Sequence, residues 1–291
     1  MDINIDGMKT TESNYDVQIL DFINIAKRHA SKREQSHLSL ITNYLKYDQD
    51  DIDESIFLNP GSVHSPSLVK DYGLNTKIYK LENRSNEKNG GMPIYDLMRI
   101  RASRRDYSYQ EIPFEVLSDI IYFSYGKRGT MRAYNKEDFS LRYAPSAGGL
   151  QSNDLYVVAN RVKGIERGLY YYDFLSNSLM LIEEGYMKER LKDCCVNQEF
   201  MKDASAVVIL VGNVARIKWK YGKKSYRFVH VDTGIVSENI HLMSTANKIR
   251  SCMIAGFDDD KINEFLNLDG EDEFVSLLVT LGTAPWNLKE S

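Results

Sequence analysis

Four arginines surround one serine in the stretch RIRASRRDY, residues 99–107. A guanidinium group can bind phosphate through two parallel hydrogen bonds, and a serine hydroxyl can add another. The same run also suits a solvated helix end, where the helix dipole favours basic side chains. The arginines and Ser103 are therefore candidates for an anion-binding site, and spacing alone leaves both interpretations open.

Two turns of small residues could bring the backbone close to a flat ligand. In PSAGG, residues 145–149, the small side chains expose backbone N–H groups that can donate to such a ligand. In IAGFDDD, residues 254–260, Gly256 offers the same access, and the three aspartates suit the start of the next helix. Either turn can equally be an ordinary connection between two elements.

A basic and aromatic block, RIKWKYGKKSYRFVHVD at residues 216–232, contains six cations around Trp219, Tyr221 and Tyr226. Neighbouring positive charges disfavour an ammonium, so they predict a lysine whose pKa is lowered and which can act as a base. A solvated loop with aromatic rings over a core edge explains the same pattern. Contact with nucleic acid is the third interpretation.

Composition limits the classes of protein. The formal charge of -4 argues against neutralising nucleic-acid phosphates, and 19 tyrosines favour a half-polar surface such as a subunit interface or a peptide groove. The three cysteines, two of them adjacent, predict neither a disulfide framework nor a CxxC site, and the five histidines lack ligand spacing, so no metal is expected. The longest strongly apolar run, residues 206–212, is too short to cross a bilayer, which predicts a cytoplasmic protein without a membrane partner.

A polar stretch at residues 81–93 predicts a boundary between an N-terminal, helical appendage over 1–90 and a main domain over 91–291. The elements that must position the candidate residues lie after this stretch. Periodicity predicts helices over residues 93–104, 113–126 and 231–249, the second opened by Pro113 and closed by Gly126. Alternating or apolar runs predict strands within residues 154–160, 167–183, 205–213 and 274–282, with a hairpin turn at Ser176 and Asn177. Helices mixed with a largely antiparallel set of strands give an α+β fold.

Taken in order, four blocks resemble the nitroreductase-type flavin enzymes, and specifically the SagB-type azoline dehydrogenases that make thiazoles and oxazoles in ribosomal peptides. The blocks are RASRRDY, APSAGGLQSNDLYVV, WKYGKKSYRFVHVDTG and IAGFDDDKINEFLNLD, and the resemblance extends from about Pro93 to Pro285. It implies a nitroreductase-like FMN-binding fold, with an antiparallel-rich central sheet, helices on both faces, and two active sites at a homodimer interface.

The same resemblance implies roles for individual residues. Those expected to bind FMN are Arg101, Ser103 and Arg105 at its phosphate or pyrimidine, Pro145, Ser146, Ala147, Gly148 and Gln151 along the flavin, and Ala255 and Gly256 near its reactive nitrogen. Lys220 and Tyr221 match the catalytic pair of the azoline-oxidising branch, with Lys220 as the base and Tyr221 as the residue that positions or relays the proton.

The implied partners are an azoline-bearing precursor peptide and cyclodehydratase proteins. Gln151 and Ser152 stand where the pattern usually has a Tyr-Pro pair, and Ile235 stands where a histidine often follows, so the peptide substrate stays open. Two other functions are also open: a nitro or quinone reductase that uses NAD(P)H, and a flavin-free scaffold subunit of a peptide-modifying complex.

Overall fold

The protein is built around one large sheet with helices on both of its faces. The structure is a computed structural model and describes residues 67–73, 76–81, 91–134, 136–196 and 198–285. The strands are β1 (Ile78–Lys80), β2 (Ile112–Pro113), β3 (Lys127–Ala133), β4 (Lys136–Arg142), β5 (Asn153–Ala159), β6 (Val162–Lys163), β7 (Gly168–Asp173), β8 (Ser178–Glu184), β9 (Ala206–Asn213), β10 (Arg250–Ile254) and β11 (Glu273–Gly282). The helices are α1 (Ile94–Ile100), α2 (Phe114–Tyr125), α3 (Lys188–Asp193), α4 (Ala215–Tyr221), α5 (Ser225–Ala246) and α6 (Asp259–Phe265).

The large sheet has the order β1-β8-β7-β5-β9-β11-β10, and each neighbouring pair in it is antiparallel. Side chains alternate between its faces, as the period of two in a strand requires. On β5, Leu155 and Val157 pack with α2 and α5, whereas Tyr156 and Val158 pack with α3 and α6. Both faces are therefore covered, which explains why the central strands are apolar on both sides. The predicted α+β fold with an antiparallel-rich sheet is confirmed.

Local signals located several elements well. Helix α2 begins directly after Pro113 and ends directly before Gly126, as predicted. The aspartates after Gly256 do start a helix, because a side-chain oxygen of Asp258 accepts hydrogen bonds from the backbone N–H groups of Asp260 and Lys261.

The prediction of a solvated loop over residues 216–232 is wrong. Helix α4 and a short 3-10 turn occupy its first part, and α5 begins at Ser225, six residues before the predicted start. Ile217 and Val229 are fully buried in this stretch and pack against Phe274. Exposed cations such as Lys218 and Arg227 lie between these apolar residues in the sequence and conceal their helical spacing.

A second antiparallel pair, β3 and β4, forms a separate hairpin that the sequence analysis did not predict. Most of β3 is exposed, so its sequence lacks the apolar alternation of a half-buried strand. This hairpin ends near Tyr134, which proves to lie in the candidate site.

The predicted appendage falls largely outside the described residues, which omit 1–66 and 82–90. Its described part contributes β1 to one edge of the sheet, where it pairs with β8. Lys70 also donates its backbone N–H to the Tyr171 hydroxyl. The helical character of the appendage and the division at residue 90 stay predictions. Within the described part of the chain, no helix is long and apolar enough to span a bilayer.

Candidate active site

One group of predicted site residues, named here the arginine cluster, consists of Arg101, Ser103 and Arg105 with their neighbours on β10. The loop after α1 runs alongside that strand, because Ser103 forms a parallel bridge with Ser251 and the Arg104 N–H donates to the Ser251 carbonyl over 2.9 Å. Since β10 leads directly into Ala255 and Gly256, the structure brings the first and last of the four blocks together.

Arg101 is held in this cluster by a buried histidine. Nε2 of His241 lies 3.3 Å from the Ala102 carbonyl and 3.2 Å from the Ser251 carbonyl. Carbonyl oxygens only accept, so Nε2 carries the proton and Nδ1 of the neutral ring accepts from Arg101 Nη1 over 3.4 Å. Burial, followed by the charge of Arg101, lowers the pKa of His241, which keeps the ring neutral.

The outer side of the arginine cluster is open. Ser103 and Arg105 are exposed, and among the described residues Arg105 has no carboxylate partner; its guanidinium lies 5.8 Å from the centre of the Phe200 ring. The hydroxyl of Ser251 is buried and finds no hydrogen-bond partner in the described part of the chain. An anion with additional acceptor atoms would satisfy these donors.

The turn after β10 is equally accessible. The Gly256 carbonyl accepts from the Val196 N–H, so its own N–H is the group available to a ligand. An added Cβ at this position would meet nothing closer than 3.7 Å, so packing within the described chain leaves room for alanine here. The absence of a side chain is what a flat ligand lying on the backbone would require.

The second group, named here the turn cluster, contains PSAGG with Lys220, Tyr221, Tyr134 and Asp232. The Asp232 carboxylate on α5 accepts from the Ala147 N–H over 3.0 Å and from the Ser152 hydroxyl over 2.7 Å. The turn is thereby fixed to the long helix at its middle residue, Ala147, and through Ser152 just after it. Burial raises the pKa of Asp232, while these two donors act in the opposite direction.

Gly148 lies directly beneath three polar side chains. Its φ of +58° is left-handed, and an added Cβ would lie 2.5 Å from the Tyr221 hydroxyl, 2.7 Å from Lys220 Nζ and 2.8 Å from the Tyr134 hydroxyl. The backbone angle therefore favours glycine, and an added Cβ would displace the ends of these three side chains. The structure thus brings the second and third of the four blocks together.

Lys220 is positioned from the other end of its helix. Arg216, one turn earlier on α4, forms a buried two-point ion pair with Asp154 on β5, at 2.9 and 3.0 Å. Its other terminal nitrogen donates to the carbonyls of Gln151 and Asn153. Because these contacts fix α4 against β5, Lys220 is directed toward the PSAGG turn.

The prediction that neighbouring cations lower the pKa of Lys220 is wrong. Burial does lower it, but the hydrogen bonds and charges of Tyr134 and Tyr221 outweigh burial and raise the pKa above that of an ordinary lysine. The reason is that α4 directs the other basic side chains elsewhere: Lys218 is exposed and lies 3.9 Å from an Asp272 oxygen. Burial raises the pKa of Tyr221, and Lys220 acts in the opposite direction.

A cavity of about 550 Å³ opens beside the turn cluster, between PSAGG and the β3–β4 hairpin. Arg142 lines it and is buried between the rings of Tyr125 and Phe174, 4.0 and 3.6 Å from their centres. Gln151 is also buried here, and its side-chain oxygen has no partner among the described residues. A ligand that donates to this oxygen would fit the cavity wall.

The two departures from the family pattern have structural roles. Ser152 supplies one of the hydrogen bonds to Asp232, and Ile235 is half-buried against the core. Tyr134, His241 and Asp232 are functional candidates that sequence reasoning missed. The Asp-x-Gly motif could have indicated Asp232, whereas Tyr134 and His241 carry no sequence signal of their own. No group of three or more potential metal ligands converges among the described residues.

Sequence comparison matches the model of the nitroreductase family to residues 98–283. A Methanocaldococcus jannaschii protein with a provisional nitroreductase name is 28% identical over 187 residues, which cover 64% of this chain and 89% of that protein. A solved structure from Anabaena variabilis, also provisionally a nitroreductase, is 29% identical with a TM-score of 0.55, over 64% of this chain. The present chain spans only 37% of that larger one.

Two further solved structures share the fold at lower identity. A provisional nitroreductase from Ralstonia eutropha is 23% identical, covers 72% of this chain and 90% of its own, and has a TM-score of 0.58. A chain of the Escherichia coli microcin synthetase McbBCD complex, solved with truncated pro-MccB17 bound, is 14% identical, covers 95% of both chains, and has a TM-score of 0.55. At these identities the likeness concerns the fold alone.

Proposed function

The chain belongs to the nitroreductase family, and from that premise we propose that it is an FMN-dependent dehydrogenase that oxidises thiazoline and oxazoline rings of a ribosomally made peptide to thiazoles and oxazoles. The observation that carries the proposal is the meeting of Lys220 and Tyr221 at the PSAGG turn, above Gly148. A simple reductase needs no such pair of proton-transferring side chains beside its flavin turn.

The residues present fit FMN. Arg101, Ser103 and Arg105 would hold its phosphate or pyrimidine atoms, and the unpartnered Ser251 hydroxyl lies beside them. The turn from Pro145 to Gly148, with Gln151, and the backbone at Ala255 and Gly256 would line the flavin. When bound, FMN supplies a two-electron acceptor for hydride.

The chain's own residues would handle the proton. Aromatising an azoline breaks one Cα–H bond, whose electrons enter the new double bond, and removes hydride from Cβ, so that the ring loses two hydrogens. Lys220 Nζ is the proposed acceptor of the Cα proton, with Tyr221 as its positioning or relay partner. Because tyrosine contacts raise the pKa of Lys220, a minor, deprotonated fraction would react at neutral pH.

The proposal of a peptide substrate is supported by the pair of Lys220 and Tyr221. The microcin synthetase complex contains a bound peptide, and its similar chain covers 95% of this one, but at 14% identity this supports only the fold. Cyclodehydratase partners would supply the azoline, since a dehydrogenase acts on a ring that has already been closed.

A homodimer is part of the proposal. Asp232 and His241 are nine residues apart on α5, which is about two and a half helical turns, so they lie on opposite sides of that helix. The turn cluster and the arginine cluster therefore flank one helix. Two copies of the chain could bring the arginine cluster of one and the turn cluster of the other to the same cofactor, with the active sites at the interface.

The test combines an absorption spectrum of the purified protein with mass spectrometry on an azoline-bearing peptide. A flavin spectrum and a loss of about two mass units per ring are expected, because each ring loses two hydrogens. Lys220→Ala should keep the flavin and lose about 100-fold or more in turnover. Lys220→Arg should fail nearly as badly, because its guanidinium stays protonated.

Lys218→Ala is the matched control, since Lys218 lies on the same helix with its side chain exposed. Equal turnover of the two alanine variants would contradict the role of Lys220. A colourless protein would favour the scaffold subunit.

A second candidate is an NAD(P)H-dependent nitro or quinone reductase. The raised pKa of Lys220 favours it, because an ammonium cannot accept a proton and a reductase does not need a base there. Rapid bleaching of the bound flavin by NADPH, without any mass change in the azoline peptide, would support this alternative.

A further inference from the structure

The tip of the β3–β4 hairpin places one tyrosine over the turn cluster. Ala133 pairs with Lys136 at the end of the ladder, and Tyr134 between them has a φ of +52°, in the left-handed region that residues with side chains rarely adopt. Its ring is fixed by edge contacts with Phe139 and Trp219, whose centres lie 5.1 and 5.6 Å away. The hairpin thus holds this side chain in one direction despite the cost of its backbone conformation.

The Tyr134 hydroxyl makes two short hydrogen bonds. It donates to the Gly148 carbonyl over 2.6 Å and accepts from Lys220 Nζ over 2.6 Å. The directions follow from chemistry, because a carbonyl can only accept and therefore takes the single hydroxyl hydrogen. Tyr134 consequently offers Lys220 only lone pairs and links it to the backbone of the PSAGG turn.

Resting on the proposed function, we propose that Tyr134 is a positioning residue for Lys220, which it ties to the flavin turn through the Gly148 carbonyl. Because Tyr134 has no second hydrogen to donate, it cannot occupy the lone pair of a deprotonated Lys220. Tyr134 therefore leaves that lone pair to the substrate proton or to the hydroxyl of Tyr221, the proposed relay partner. In this scheme Tyr134 contacts Lys220 Nζ and acts on the substrate only through it.

The groups facing Lys220 come from three elements. Tyr134 belongs to the hairpin and Tyr221 to the same helix as Lys220, while Asp232 on α5 acts on Tyr221 from the far side. Loss of the Tyr134 hydroxyl removes one of the contacts that raise the pKa of Lys220. The pKa should therefore fall in Tyr134→Phe, although the freed amine is less well placed.

The activity experiment compares Tyr134→Phe with Tyr109→Phe across pH in the flavin-loaded protein. Tyr109 is the matched control, since it is exposed and its hydroxyl donates to Asp203. In Tyr134→Phe the rising limb of azole formation should move to lower pH. On the high-pH plateau, where Lys220 is neutral, turnover should fall by about 2- to 10-fold, the value of one hydrogen bond between neutral groups. An unchanged profile and plateau in an active enzyme would overturn the proposal.

Competitive acetylation with acetic anhydride, followed residue by residue by mass spectrometry, tests the same contact without substrate. Tyr134→Phe should lower the reaction midpoint of Lys220 relative to the wild type, while Tyr109→Phe leaves that midpoint in place. Equal midpoints of Lys220 in the wild type and in Tyr134→Phe would overturn the proposal. If the wild type forms no azole, the proposed function fails, while the acetylation midpoints still decide the role of Tyr134.

Discussion

The Asp232 carboxylate offers a prediction that can be worked out from its contacts. Replacement by alanine removes the acceptor for the Ala147 N–H and the buried Ser152 hydroxyl. An unsatisfied buried donor costs about 1–3 kcal/mol, and of these two only the Ser152 hydroxyl is fully buried, so Asp232→Ala should lose about 1–3 kcal/mol of unfolding free energy. Asp232→Asn should lose less than half as much. Its amide oxygen still accepts from Ala147, and the Ser152 hydroxyl can rotate to accept from the amide nitrogen.

The pH dependence follows from the sign of the pKa shift. Burial raises the pKa of Asp232 in the folded protein above its usual 3.8, so the folded state binds this proton more tightly than the unfolded state does. The resulting stabilisation is complete below the unfolded pKa and disappears as the pH rises through the folded one. The free energy of unfolding of the wild type minus that of Asp232→Asn should therefore decrease as pH rises from about 4 to neutral.

Urea denaturation of the two variants and the wild type at several pH values measures both quantities. The stability loss of Asp232→Asn is compared with that of Asp232→Ala, which lacks both acceptor oxygens. A difference between wild type and Asp232→Asn that increases with pH would refute the reasoning, since it would mean that hydrogen bonding to the ionised form outweighs burial. Equal stability of Asp232→Ala and the wild type would refute the hydrogen-bond argument itself.

Three further outcomes are expected. Arg101→Ala combined with Arg105→Ala should release FMN into the filtrate on ultrafiltration, because two charge-assisted phosphate contacts are lost; full retention of flavin would exclude these two arginines as its ligands. Gly148→Ala should lower the denaturation midpoint and displace Lys220 from the turn, and a variant as stable and as active as the wild type would contradict the crowding above that residue. Light scattering should give the mass of a dimer, whereas an active, flavin-loaded monomer would contradict the shared site.

Elements with strong local signals could be predicted from the sequence. Pro113 and Gly126 bound α2 because proline suits a helix start and glycine a helix end, and the buried strands β5 and β9 read as apolar runs. The β3–β4 hairpin could not be predicted in this way. Its ladder is exposed, and the left-handed conformation at its tip is adopted by a tyrosine rather than by glycine or asparagine.

The sequence proposes residues for the candidate site but does not give their arrangement, and their roles stay predictions. The four blocks gave Arg101, Lys220 and Gly148, whereas their grouping into two clusters depends on pairing between β10 and the loop after α1. The direction of the Lys220 pKa shift depends on a hydroxyl 86 positions away in sequence. The number of basic residues near Lys220 in the sequence predicted a lowered pKa, which is the wrong direction. The reason is that a helix separates side chains that are adjacent in sequence.

Because α5 lies between the two clusters and contacts both, the number of residues between Asp232 and His241 is fixed. Each residue added between Asp232 and His241 would turn one end of the helix by about 100° relative to the other and shift it by about 1.5 Å. Such an insertion would carry either Asp232 away from the PSAGG turn or His241 away from the Arg101 loop. Substitutions in this segment can preserve both contacts, but a change in its length breaks one of them. The length of α5 therefore fixes the orientation of the arginine cluster relative to the turn cluster.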